Sequence, residues 1–140
     1  MAERATAFRQ VRGGGGTRFG RPIDLVHLAA QSLGDKSLEE EVLRAFDVAV
    51  GVYMDRVRSA RDRDGLQERL RLLKAVAGGV GAWPLHDLAA MAEAEVAAGY
   101  SMCPEDFDDL AFTVAEVQAF VTDLLGDDGD RAALTIGHDL

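Results

Sequence analysis

Three histidines, His27, His86 and His138, are the side chains of this 140-residue sequence best suited to ligate a metal or accept a group. An imidazole nitrogen offers a lone pair near neutral pH. Their spacing is not that of a zinc site, and the single cysteine, Cys103, supplies no second sulfur. His27, between Val26 and Leu28, falls near an apolar stripe and reads as a packing-edge residue. His86 follows Pro84 and reads as a solvated first-turn residue, and His138 lies beside Asp139 near the end. Asp127, Asp128 and Asp130 surround Gly129, but the twelve-residue loop and closing glutamate of a calcium hand are missing. Glu39, Glu40 and Glu41 are adjacent, so they do not face one another as an acid–base pair would. Ser32, Ser37, Ser59 and Ser101 carry no nucleophile signature. What remains is a pair of cations, Arg71 and Lys74, set among Ala75, Gly78 and Gly79 and bordered by Leu72. Such groups only donate hydrogen bonds, and they bind carboxylates. No catalytic residue, metal or cofactor is expected, and the chain does not read as an enzyme.

The elements that must position these residues are helical. Apolar residues make up 48% of the chain while aromatics are only 6%, so Ala, Val and Leu must fill the core, which favours packed helices. Pro22 is suited to a first helical turn, and a short helix is expected from about Ile23 to Leu33, ended by Gly34. Ser37 with Glu40 reads as a capping box for a second helix, with the stripe Leu38, Val42, Phe46, Ala49, Tyr53 and Val57. Asp62 to Gly65 supplies a turn, and a third helix follows with Leu66, Leu70, Leu73, Ala77 and Val80 inward. A fourth is expected from Pro84 to Ala98, with Leu85, Leu88, Ala92 and Val96 inward and Gly99 as its stop. A fifth opens at Pro104, carries Phe107, Leu110, Val114, Val117, Val121 and Leu124, and closes at Gly126. Short connections between long helices imply an all-α fold, an antiparallel four-helix bundle with a short extra N-terminal helix.

Charge divides the chain. Residues 1–21 hold five arginines against Glu3, a net of +4, and contain Gly13 to Gly16 in a row. They read as a flexible basic tail. Residues 84–140 hold thirteen acids against Arg131 alone, a net of −12, and 127–140 read as an acidic C-terminal tail. A body this acidic does not suit nucleic acid, whose phosphates need clustered cations. No run of about 18 apolar residues occurs, so no membrane span is expected. The lone cysteine and the absence of an apolar leader point to a cytoplasmic protein.

On the third helix, Arg71, Ala75 and Gly78 fall within about 60° of one another, away from the Leu70–Leu73 stripe, with Lys74 between. A face without bulk lets another backbone approach. The same small residues could instead seat the fourth helix. Val50, Val52 and Val76 lie off the main stripes and could add an apolar patch.

Asp24, Leu33-Gly34-Asp35, Leu38-Glu39 with Val42-Leu43 and Phe46, then Leu73-Lys74 and Gly79-Val80-Gly81-Ala82-Trp83, carry a resemblance. Over residues 22–98 the chain resembles the histidine-phosphotransfer (HPt) domain family. The resemblance implies a helical bundle, residues 22–126 here, that shuttles a phosphoryl group between receiver-domain aspartates through one exposed histidine. At the phosphoacceptor position stands Arg71, and Ala75 replaces the glycine that follows the Leu-Lys pair. A guanidinium stays protonated and has no lone pair to phosphorylate. The resemblance therefore implies a phosphorelay protein unable to carry phosphate, acting as a regulator that binds a receiver domain or histidine kinase. Its docking face would be Arg71, Leu72, Lys74, Ala75, Gly78 and Gly79, with no small-molecule ligand. Two alternatives stay open: a phosphotransfer protein with a different acceptor, and a helical adaptor or homodimer outside phosphorelay.

Overall fold

A computed structural model describes residues 21–139, with side chains described for 21–126. The basic tail expected over residues 1–21 lies outside the described residues except for Arg21, as do the side chains of Asp127, Asp128, Asp130 and His138. The described residues form five helices: α1 (Leu25–Gln31), α2 (Lys36–Arg58), α3 (Arg63–Val80), α4 (Trp83–Ala97) and α5 (Pro104–Asp139). No strand occurs among them, and no helix among them is long and apolar enough to cross a membrane.

Four of the five helices begin where a carboxylate can accept from a free amide, whereas α4 follows Ala82 with no side-chain cap and carries Pro84 in its first turn. Asp24 accepts from the Val26 and His27 amides, so α1 starts at Leu25 and not at Pro22 or Ile23. Asp35, rather than Ser37, caps α2, accepting from the Leu38 amide at 3.2 Å. The expected capping box is thus displaced by two residues, because a carboxylate stands earlier in the chain and reaches the same set of free amides. Asp62 caps α3 by accepting from the Gly65 amide at 2.7 Å. Asp106, inside the first turn of α5, reaches back to accept from the Cys103 amide at 3.0 Å. Gly126 does not close α5, which continues to Asp139. One interior glycine costs only about 1 kcal/mol, too little to stop a helix by itself.

The core is built from the expected stripes of α3, α4 and α5. Leu70, Leu73, Ala77 and Val80 are buried on α3, Leu85, Leu88, Ala92 and Val96 on α4, and Leu110, Val114, Val117 and Val121 on α5. Each buried Leu or Val contributes about 1.5–3 kcal/mol by leaving water. On α2 the buried set is Leu43, Phe46, Val50, Met54 and Val57, so the stripe is rotated from the expected one. Val50 is therefore a core residue and not part of a surface patch, whereas Leu38 is exposed. Leu33, expected as the last residue of the first helix, lies beyond its end at Gln31 and is 89% exposed with φ 55°, because the α1–α2 turn needs two left-handed residues, Leu33 and Gly34. Helix α2 lies against α3 and α5, helix α4 lies against the same two, and α1 touches α3.

A candidate docking face on the third helix

Burial of Leu70, Leu73 and Ala77 fixes the rotation of α3 and turns Arg71, Leu72, Ala75 and Gly79 toward solvent. Helical geometry persists through Gly78 and Gly79 to Val80, where Gly81 at φ 77° ends it. The two glycines do different work. A methyl group on Gly78 would lie 3.2 Å from Cδ2 of His86, so this position seats the fourth helix. Nothing lies within 4 Å of the same point on Gly79, which is open. Of the expected face, Gly78 and the half-buried Lys74 pack against the fourth helix.

The cations do not stand alone. Lys74 donates to Glu93 of α4 at 2.6 Å, with Lys74 only 31% and Glu93 16% exposed. Arg71, 56% exposed, donates to Glu68 one turn back on its own helix, and its Nε stands 3.7 Å from Glu93. Two cations and two carboxylates therefore share one patch, which is locally neutral. The sequence reading missed both acids. Glu68 was legible as an i, i+3 partner. Glu93, nineteen residues from Lys74, is brought there only by the pairing of α3 with α4.

The far end of α3 is stitched to α1. The Asp24 amide donates to the Gly81 carbonyl at 2.8 Å, and the Trp83 indole donates to Asp24 Oδ2 at 3.1 Å. These bonds, the indole first and the α1 amides after it, hold the Asp24 carboxyl below the usual carboxylate range. A side chain on Gly81 would meet Asp24 and His27 at 3.1 Å, so glycine is required there both for its backbone angle and for its size. His27 and His86 flank Trp83 edge-on, with ring centroids 5.1 and 5.4 Å from it. His27 Nε2 is buried without a hydrogen-bond partner, which agrees with a packing role. His86 is more enclosed than a solvated first-turn residue: it rests on Gly78 and pairs with Asp87 through Nδ1 at 3.0 Å.

Among the described residues no group of histidine, cysteine, aspartate and glutamate is arranged to hold a metal. Neither Arg71 nor Lys74 lines the shallow surface cavity of about 240 Å³ beside Asp24 and Trp83 or the one of about 270 Å³ beside Met102 and Phe107. Set against protein-family models, curated proteins and solved structures, the chain matches none.

Proposed function

We propose that this chain is an HPt-like domain that docks on a response-regulator receiver domain, or on a histidine kinase, without itself carrying phosphate at Arg71. The observation that carries this reading is the combination of an exposed Arg71 and an open Gly79 on one unbroken helix. An antiparallel four-helix arrangement is part of the proposal. It is supported by Gln118 of α5 donating to the Asp47 carbonyl of α2, while Arg58, further along α2, pairs with Asp108, earlier on α5.

The mechanism is competition. Receiver domains concentrate carboxylates around their phosphorylation site, and Arg71 offers a planar fork of donors to such a pocket. Ala75 and Gly79 keep the approach free of bulk, and Leu72 adds apolar contact at its border. With no lone pair at position 71, the complex forms but no phosphoryl group moves to that residue. Binding of receiver domains from the native cell is the test, before and after Arg71→Glu. A charged hydrogen bond is worth about 1.5–3 kcal/mol, so the substitution should weaken binding at least tenfold. Unchanged affinity would remove this face from consideration.

His86 favours a second reading, in which a different residue accepts phosphate. Its Nδ1 is held by Asp87, while Nε2 makes no hydrogen bond and is not among the buried polar atoms. Incubation with phosphorylated receiver and labelled phosphate decides it: acid-labile label lost in His86→Gln supports this reading, and an unlabelled wild-type chain ends it. An adaptor or homodimer is favoured by a separate observation, since Val48, Val52 and Phe112 are exposed. Sedimentation of a monomer would exclude the homodimer.

A further inference from the structure

We propose that a second copy of this chain covers the outward face of α2, in an antiparallel two-fold contact that sets Val48 against Val52 and Arg44 against Asp55. This does not rest on the docking reading, which α3 carries. Burial of Leu43, Phe46, Val50, Met54 and Val57 fixes the rotation of α2. At 100° per residue, Arg44, Val48, Val52 and Asp55 then fall within about 80° of one another on the opposite side. Val48 is 68% and Val52 42% exposed, and both charged residues are exposed as well. Two valines one turn apart, with a cation before them and a carboxylate after them, thus form a stripe that the fold leaves uncovered. Arg44 stands 3.6 Å from Glu40, beyond hydrogen-bond distance. Among the described residues the Asp55 carboxylate has no cation.

The order of these four residues selects the occupant. In a two-fold contact one patch serves both chains, so whenever residue i meets j, j also meets i. An axis at right angles to α2 and level with Val50 brings Val48 to the height of Val52 in the second copy. It brings Arg44 to within one residue of the height of Asp55. The same axis places equal flanks of the two helices together. Arg44 and Asp55 share the flank bordering α5, where Asp47 and Gly51 approach Gln118 and Arg58 approaches Asp108. They therefore meet each other, twice. Arg56 lies on the other flank, over the Tyr53 ring, and does not face Arg44. A parallel pairing would set Arg44 on Arg44 and Asp55 on Asp55. One helix from each chain makes a small interface, below about 1,200 Å² in total, so the dimer is a transient one. Each chain carries a net charge of −9, which opposes approach from afar. At physiological salt, exposed charges more than about 8 Å apart are largely screened, so the close facing pairs decide the contact and long-range steering does not.

The experiment is a charge swap in the full chain, read by sedimentation over a concentration series at physiological salt. The wild type should move from monomer toward dimer as concentration rises. Arg44→Asp sets an acid against Asp55 in both facing pairs, and Asp55→Arg sets a cation against Arg44. Each variant alone should therefore associate at least about tenfold more weakly. Val48→Gln, which leaves the charge untouched, should weaken association as well. An equimolar mixture of Arg44→Asp and Asp55→Arg should recover the dimer, because every facing pair is then opposite in sign. That mixture carries the same total charge as two wild-type chains, so its recovery reports the facing pairs and not whole-chain repulsion. Thermal melts by circular dichroism confirm that every variant is folded, as expected for exposed positions. A wild type that stays monomeric throughout overturns the proposal, and so does a mixture that associates no better than its parts. Tightest association by Asp55→Arg, the least acidic chain, would also overturn it, since net charge would then govern.

Discussion

Replacing Gly79 with alanine should strengthen the fold and weaken the complex, and the two effects come from the same cubic ångströms. Gly79 is helical, and nothing in the protein lies within 4 Å of the place its Cβ would take. The substitution thus carries no steric cost in the free protein. It removes backbone freedom from the unfolded chain and gains helix propensity, together about 0.5–1 kcal/mol. For a chain of this size that is a rise of about 2–4 °C in melting temperature. In the complex, the added methyl enters the space where another backbone is to close. Overfilling a packed contact costs about 1–3 kcal/mol, which is a loss of about fivefold to a hundredfold in receiver affinity. Urea unfolding followed by circular dichroism reads the first effect, and calorimetric titration with the receiver reads the second. A destabilised Gly79→Ala would mean that the fold itself covers this face. A stabilised variant with unchanged binding would mean that no partner uses the space, and the docking argument would lose its steric half.

Gly81→Ala should do the reverse, costing about 2–4 kcal/mol, because a left-handed backbone angle and three contacts at 3.1 Å oppose the new methyl; urea midpoints near wild type would contradict that geometry. Asp35→Ala should lose about 1 kcal/mol through its capping bond, while Ser37→Ala should stay within about 0.5 kcal/mol. Equal losses in the two variants would return the cap to Ser37. The Asp24 carboxyl is held low in the folded protein, so its stabilisation is complete above the unfolded value of about 3.9 and fades as pH falls through the folded one. Trp83→Phe removes the largest cause and should raise the carboxyl midpoint in an NMR titration. A midpoint that does not move would rule out the indole as that cause.

Helix number, order and most inward positions were legible because Ala, Val and Leu recur at three and four residues along α3, α4 and α5. The errors came where local rules compete. Ser37 with Glu40 satisfies the capping-box pattern, but Asp35 caps the helix two residues sooner. Val50 looked peripheral beside Ala49 and Tyr53, yet α2 is rotated to bury it between its neighbours. Gly126 carried a stop signal that the backbone ignores. On the docking face, the outward register of Arg71 followed from the position of Leu70 and Leu73. The carboxylates that neutralise it did not follow in the same way. Glu93 reaches Lys74 only through the mutual register of α3 and α4, which a single chain of letters does not encode locally. Asp24 and Trp83 were both singled out, but their bond joins residues fifty-nine positions apart.

That bond has a practical corollary. Trp83 is the chain's single tryptophan, and it sits at the seam between the short leading helix and the rest of the molecule. Its emission spectrum is therefore a native optical gauge of that seam. Were α1 to peel away while the other helices held, the indole would report the event with the far-ultraviolet signal scarcely altered, requiring no introduced dye.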